Sequence, residues 1–454
     1  MAYIEALRKL TEIERTYDVE SIRVDGISVW PLLRIYLFQV IGQTDHRKAH
    51  RLSKGKFATV LRGLFAYNPL KVFGSHRTWV FNAAERRKQL NGAFVHRVSG
   101  FVSELLPDAL FIEKPSERSF HRKKSEIAEK AIVSESWILV SAHLLERIMP
   151  RKWAVIENEA LMKEILEKNK WNFDYVYFVR YLVAQRKILN FVLSITRKPD
   201  RVLIECPYNM MGYVWAFKRR GIKVVELQHG VVNQSHYAYV YNRSSVLYPD
   251  CIWVYGERER DFFEHVNPNY SKTVEQTGLY ILEKANEVFT EDIFAPYRNR
   301  YSKIVVFAGQ AAVERPVYSF LKRAADLNPE WLFVYIPRYP VENFPVRNAN
   351  VVYAAKVNIY QYLKWCDVHA TVSSTTCLEA MYYRKPTVFY DYENLASEYY
   401  GGFLSSGKGV EYIGGADRFR EAVERLERNG ATGYPRVFHP FDKNEIRNIL
   451  NRMG

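Results

Sequence analysis

The sequence predicts an α/β protein of two doubly wound parallel-sheet domains facing each other across a cleft, with added helices near both ends. Three observations point there. Short apolar runs alternate with longer helical patterns, the signature of strands joined by crossover helices. The alternating series occurs twice along the chain. The 454 residues, 48% hydrophobic and 25% charged, suffice for two separate cores.

In chain order, residues 3–17 and 29–41 have helical periodicity. The runs 78–82, 109–112, 201–205 and 223–227 read as strands, and 155–168, 173–194 and 210–220 as helices. Gly221 stands where a C-capping glycine ends the last of these before the next strand. A second series of strands follows at 251–255, 303–307, 331–336, 351–353, 368–371 and 386–390, with helices at 317–328 and 359–366. The boundary is expected between Gly230 and Pro249. This gives a first domain over 1–240, a second over 241–430, and a C-terminal helix within 431–454 that crosses back.

The first ten residues mix apolar groups with Glu5, Arg8 and Lys9, unlike the apolar core of a signal peptide, and the longest apolar stretches are too short or too interrupted to span a bilayer. A cytoplasmic protein is expected. Cys206, Cys251, Cys366 and Cys377 lie far apart without zinc-ligand spacing, so buried free thiols are expected and neither a disulfide framework nor a metal. The net charge of +15 calls for an acidic partner. Between 46 and 84 there is no acidic residue, while the cations from Arg47 to Arg77 alternate with Phe57, Val60, Leu61, Leu64, Phe65 and Tyr67. Such a segment, 47–77, suits an anionic membrane surface, or else a solvated basic helix on its own domain. No nucleic-acid signature is present, and no nucleic-acid partner is expected.

Ligands of open parallel sheets bind beyond the carboxyl ends of strands. Ser373, Ser374, Thr375 and Thr376 follow one strand and open a helix, so N–H groups and hydroxyls there can hold a phosphate; plain N-capping is the alternative. Glu379, one turn further, can reach ribose hydroxyls or close a capping box. Gly309 and Gln310 form a strand-to-glycine turn, and Arg338 places a guanidinium at another strand end. In the first half, the strand 223–227 runs into Gln228-His229-Gly230. His229 is a candidate base or hydrogen-bond donor, Gln228 and Gly230 line the expected cleft, and Glu205 and Glu226 are further acid–base candidates. Arg86 or Arg87 can pair with Glu205.

The order of Glu226-Leu-Gln-His-Gly230, Pro249-Asp-Cys-Ile-Trp-Val-Tyr-Gly-Glu257, Gly278, and Ser373-Ser374-Thr375 through Glu379-Ala380 resembles bacterial surface-polysaccharide glycosyltransferases of the GT-B fold, which build capsules and O-antigens. The likeness covers the second half of the chain, and the first half by topology. It implies Rossmann-like domains, a nucleotide-sugar donor on the second, a glycan acceptor on the first, and no metal or other cofactor. Relatives using CMP-linked Kdo or sialic acid carry a His-Pro pair where this chain has Arg338-Tyr339-Pro340. The glycerophosphotransferases of teichoic acid synthesis, which use CDP-glycerol, share the His-Gly and Ser-Ser elements. The expected reaction moves a sugar to a lipid-linked glycan; a non-catalytic nucleotide-sugar-binding scaffold and an epimerase are the competing readings.

Overall fold

The computed structural model describes residues 2–42, 54–117, 120–430 and 434–453. The described residues within 1–88, 92–278 and 440–454 form one compact unit, and those within 279–439, with 89–91, form another.

The first unit begins with helices α1 (Ala2–Thr16), α2 (Trp30–Ile41) and α3 (Lys54–Gly63). Arg34, 1% exposed, lies on α2 and is held by Glu14 of α1 at 2.7 Å. Seven parallel strands follow: β1 (Thr78–Ala83), β2 (Leu110–Lys114), β3 (Ala131–Ser134), β4 (Arg201–Ile204), β5 (Lys223–Leu227), β6 (Cys251–Val254) and β7 (Thr273–Gln276). Their order in the sheet is β7-β6-β5-β4-β1-β2-β3. Helices α4 (Ser136–Ile148), α5 (Tyr175–Ile195) and α6 (Met211–Arg219) supply crossovers. Both faces of a parallel sheet are covered, so its central strands are apolar throughout rather than alternating. Trp79, Phe81, Val202 and Ile204 bury against Leu189, Tyr213 and Phe217 in one cluster, while Ile252 and Val254 join Trp30, Tyr239 and Tyr270 in another.

The second unit carries six parallel strands: β8 (Lys303–Ala308), β9 (Trp331–Ile336), β10 (Val351–Tyr353), β11 (Val368–Thr371), β12 (Thr387–Tyr390) and β13 (Val410–Ile413), in the order β10-β9-β8-β11-β12-β13. Helices α7 (Glu314–Leu327), α8 (Thr376–Tyr382) and α9 (Phe419–Asn429) flank it. Alternate residues of β8 enter opposite cores: Val305 and Phe307 meet Phe320 and Phe419, whereas Ile304 and Val306 meet Leu363 and Cys366. Helix α10 (Lys443–Arg452) returns to the first unit, where the Leu450 carbonyl accepts from Arg201.

Two doubly wound parallel sheets make this the α/β fold of the GT-B class. The expected division at 240/241 shifts. The strand at 251–254 pairs with β5 and that at 273–276 with β6, so both extend the first sheet, and the units part after Gly278. The strands β3 and β13, which sequence patterning did not mark, complete the edges. Cys251, Cys366 and Cys377 are buried, Cys206 is partly exposed, and all four are free thiols. Among the described residues no helix is long and apolar enough to cross a membrane. Of the basic segment 47–77, residues 47–53 lie outside the described residues.

Candidate functional site

Each sheet has one place where the winding direction reverses. In the first unit it lies between β1 and β4; in the second, between β8 and β11. At such a point the loops leaving two adjacent strands diverge and open a crevice.

At the first reversal, Phe81 pairs with Ile204, and the Glu205 N–H extends the ladder to the Phe81 carbonyl at 3.3 Å. Glu205 is therefore fixed at the carboxyl end of β4, 3% exposed. Its Oε1 lies 2.8 Å from His96 Nδ1 and its Oε2 3.5 Å from Arg86 Nε. His96 Nε2 lies 3.0 Å from the Ala83 carbonyl, which fixes a proton on that nitrogen. Arg86 also donates to the His229 carbonyl at 3.3 Å, as Arg97 does at 3.0 Å. One guanidinium thus links two sequence-marked residues, Glu205 and His229.

His229 is half-buried, with Nε2 3.1 Å from the Tyr208 hydroxyl. Burial, then the positive charge of Arg86, hold its pKa well below the ordinary imidazole value, so the ring is neutral. Gln228 is a structural clamp: Nε2 donates to the Gly230 carbonyl at 2.8 Å and Oε1 accepts from Tyr255 N–H at 2.7 Å, fastening the end of β5 to that of β6. Gly230 is not demanded by its backbone, since an added Cβ meets nothing within 4 Å.

Glu226 is corrected from acid–base candidate to core carboxyl. It is 0% exposed, and both oxygens are taken at 2.6 Å by the hydroxyls of Tyr239 and Tyr270. Burial pushes its pKa up to about 8, with the two tyrosine bonds pulling the other way. Arg87 likewise belongs elsewhere, paired with Glu113 and, at 2.9 Å, with Glu129.

Beyond the carboxyl ends of β1 to β4 lies a cavity of about 570 Å³, wholly within the first unit and bordered by Asn82, Arg86, Lys114, Glu135, Tyr181 and Glu205 among others. His96, Arg97, Asn82 and Glu135 were missed by the sequence reading. The available signal was Asn91-Gly92, with φ of 45° and 80°, which turns the hairpin Arg87–Leu90 to Ala93–His96 and delivers His96 beneath Glu205.

At the second reversal, Gly309 follows β8 with its N–H on the Ile336 carbonyl at 2.8 Å; a Cβ there would collide with the Tyr335 hydroxyl. That closeness requires glycine. Next to it Gln310 Oε1 accepts from both the N–H (2.8 Å) and the hydroxyl (3.0 Å) of Ser373, the residue leaving β11. Ser374 Oγ accepts weakly from Thr376 N–H at 3.4 Å. Thr375 is the N-cap of α8 and makes no side-chain cap bond. The Thr376 hydroxyl is 3.0 Å from Nε2 of fully buried His369, whose pKa burial lowers to about 3. Thr376 is therefore spent on the core, and the remaining polar groups of the loop reduce to the half-buried Ser374 and Thr375. Glu379 is buried at 4% exposure, against its expected reach toward a ligand, whereas Arg338 is exposed beyond β9.

Asp261, Glu264 and His265 have ligand atoms close enough to share a cation, but they are exposed and lie after β6, away from both reversals.

No family model and no curated protein matches the chain. Among solved structures it is similar to a Staphylococcus aureus MnaA–UDP complex, with a TM-score of 0.50 and 12% identity over 83% of this chain and 95% of the other. The likeness is one of fold. A Neisseria meningitidis UDP-GlcNAc 2-epimerase bound to UDP-GlcNAc scores 0.48 at 13% identity, covering 83% and 99% of the two chains. The wall teichoic acid polymerase TagF scores 0.44 at 9%, covering 93% and 97%.

Proposed function

We propose that this chain is a metal-independent glycosyltransferase that moves a sugar from a nucleotide-sugar donor to a growing, lipid-linked bacterial surface glycan of the capsule, O-antigen or lipopolysaccharide kind. The observation that carries the reading is the coincidence of residues marked by sequence with the reversal points of both sheets: Gln310 with Ser373 in one, Glu205 with Arg86 in the other. Small polar groups and N–H donors at a strand-to-helix turn suit the phosphates of a donor and the charge that develops on its leaving group. A buried carboxylate at a strand end suits the proton of an attacking hydroxyl.

A thermal-shift screen with CMP, CDP, UDP, GDP and their sugar conjugates tests the donor assignment. At ligand a hundredfold above Kd, stabilisation is about 2.7 kcal/mol, which raises the melting temperature by several degrees. Gln310→Ala, which frees the Ser373 loop, is expected to weaken that binding at least tenfold, and EDTA to leave it unchanged. No shift with any nucleotide overturns the donor assignment.

The site of action we assign is the cytoplasmic face of the membrane, reached through 47–77. Around Arg62 and Lys71, Phe65 is 85% exposed, with Leu70 and Phe73 also on the surface, an apolar and cationic combination suited to anionic headgroups. Reversing Arg51, Lys54 and Lys56 to Glu removes at least ~3 kcal/mol at about 1 kcal/mol per cation. The triple variant should remain in the supernatant when phosphatidylserine vesicles are sedimented, while the wild type pellets.

A further inference from the structure

The cavity beside Glu205 has a composition that specifies its occupant more narrowly than the word acceptor. Its lining holds four carboxylic side chains, Glu85, Glu117, Glu135 and Glu205, against two cations, Arg86 and Lys114. Arg86 is already engaged by Glu205 and by the His229 carbonyl. Burial raises the pKa of Glu135, yet Glu85, Glu117 and Glu205 still outnumber the two cations, so an incoming phosphate or carboxylate would meet a surplus of negative charge.

The buried polar atoms show the complementary need. Glu135, 1% exposed, is held at Oε1 by the Tyr213 hydroxyl at 2.8 Å, and its Oε2 is buried with no hydrogen-bond partner among the described residues. Asn82, 4% exposed, gives its Nδ2 to Ser99 Oγ at 3.3 Å, and its Oδ1 has no hydrogen-bond partner among the described residues. Both are acceptors at the carboxyl end of the same sheet, on β1 and after β3 with β2 between them, and an acceptor buried without a donor costs free energy. The same lining is also aromatic. Tyr181 stacks on His143 with centroids 4.6 Å apart, and Tyr177 lies nearly parallel to Tyr181. A cavity that holds both acceptor oxygens and flat aromatic rings matches a ring that donates hydroxyl hydrogens in its plane and presents C–H groups from its faces.

We infer that this cavity binds one uncharged, hydroxyl-rich sugar ring, with Glu135 and Asn82 accepting its hydroxyls and Tyr181 covering its face, and that it excludes anionic units such as glycerol phosphate. The inference rests on the transferase reading, and it makes the terminal acceptor unit a neutral sugar. Glu135 acts as a specificity residue, three strands along the sheet from Glu205.

Saturation-transfer NMR on the full chain tests it, using methyl glucoside, methyl galactoside and methyl mannoside as neutral probes, and methyl glucuronoside and glycerol 3-phosphate as anionic ones. At least one neutral glycoside should show transfer, with neither anion doing so at equal concentration. Glu135→Gln should weaken the neutral probe about tenfold, the scale of one hydrogen bond lost, and let the glucuronoside in. Tyr181→Leu, which keeps apolar volume, should abolish transfer to the sugar's C–H protons. Each variant must keep the wild-type melting temperature within a few degrees and its nucleotide-induced shift. Tighter binding of either anion, no binding of any neutral probe, or unchanged binding in both variants overturns the inference. When nucleotide binding persists in those outcomes, the donor assignment stands and only the acceptor class fails.

Discussion

Glu205→Gln is expected to lower sugar transfer by about 10²–10⁴-fold, the usual contribution of a positioned general base, with nucleotide binding retained. The carboxylate sits at the end of β4, borders the cavity, and is approached by His96 and Arg86 at 2.8 and 3.5 Å. Glutamine keeps the shape and removes the proton acceptor. His229→Ala should cost far less, on the order of tenfold, because the ring is tied to Tyr208 and its backbone carbonyl, which the variant keeps, is what Arg86 and Arg97 grip. Initial rates of product formation, measured at saturating donor, separate the two. If Glu205→Gln transfers within threefold of wild type while His229→Ala is inactive, the base is the imidazole.

The two sheets were largely legible because parallel strands buried on both faces must be continuous apolar runs. The runs at 78–82, 303–307 and 331–336 therefore recur as β1, β8 and β9 within a residue or two. Sheet membership was not legible. The run at 251–254 opens a second series when read along the chain, yet it hydrogen-bonds to β5, and no local pattern encodes that partner. The edge strand β3 is only Ala-Ile-Val-Ser, too short to stand out between Lys130 and Glu135.

At the candidate sites, sequence located loops better than side chains. Gln310 and Ser373 are 63 positions apart and meet because β8 and β11 are neighbours, a relation that follows from winding order rather than from either segment. Four consecutive hydroxyl residues suggested one anion cradle, but Thr376 turns to His369, and the Ser373 hydroxyl is used by Gln310. The direction of a helix's first turn decides that, and it depends on the strand beneath. Glu226 shows the same limit from the other side. In sequence it is a polar residue two positions before Gln228; in the sheet, Tyr239 and Tyr270 arrive from later segments and close over it.

That buried carboxyl gives the folded state a pH dependence of its own. Its pKa rises from an ordinary 4.5 to about 8 on folding, so the folded chain keeps a proton that the unfolded chain releases. The contribution is fully present below pH 4.5 and is lost as pH rises toward 8, at about 1.4 kcal/mol per pH unit. Half-buried His143 and His236, lowered to about 4, act oppositely and only below the ordinary 6.5 of imidazole, since they must charge on unfolding there. Glu226→Gln keeps an acceptor for one tyrosine and cannot ionise, so it isolates the carboxyl. Urea unfolding at pH 5, 6, 7 and 8 should show wild-type stability falling steadily relative to Glu226→Gln, by several kcal/mol over the range. Parallel curves for the two proteins would mean that Glu226 is ionised in the fold, with the tyrosine hydroxyls outweighing its desolvation.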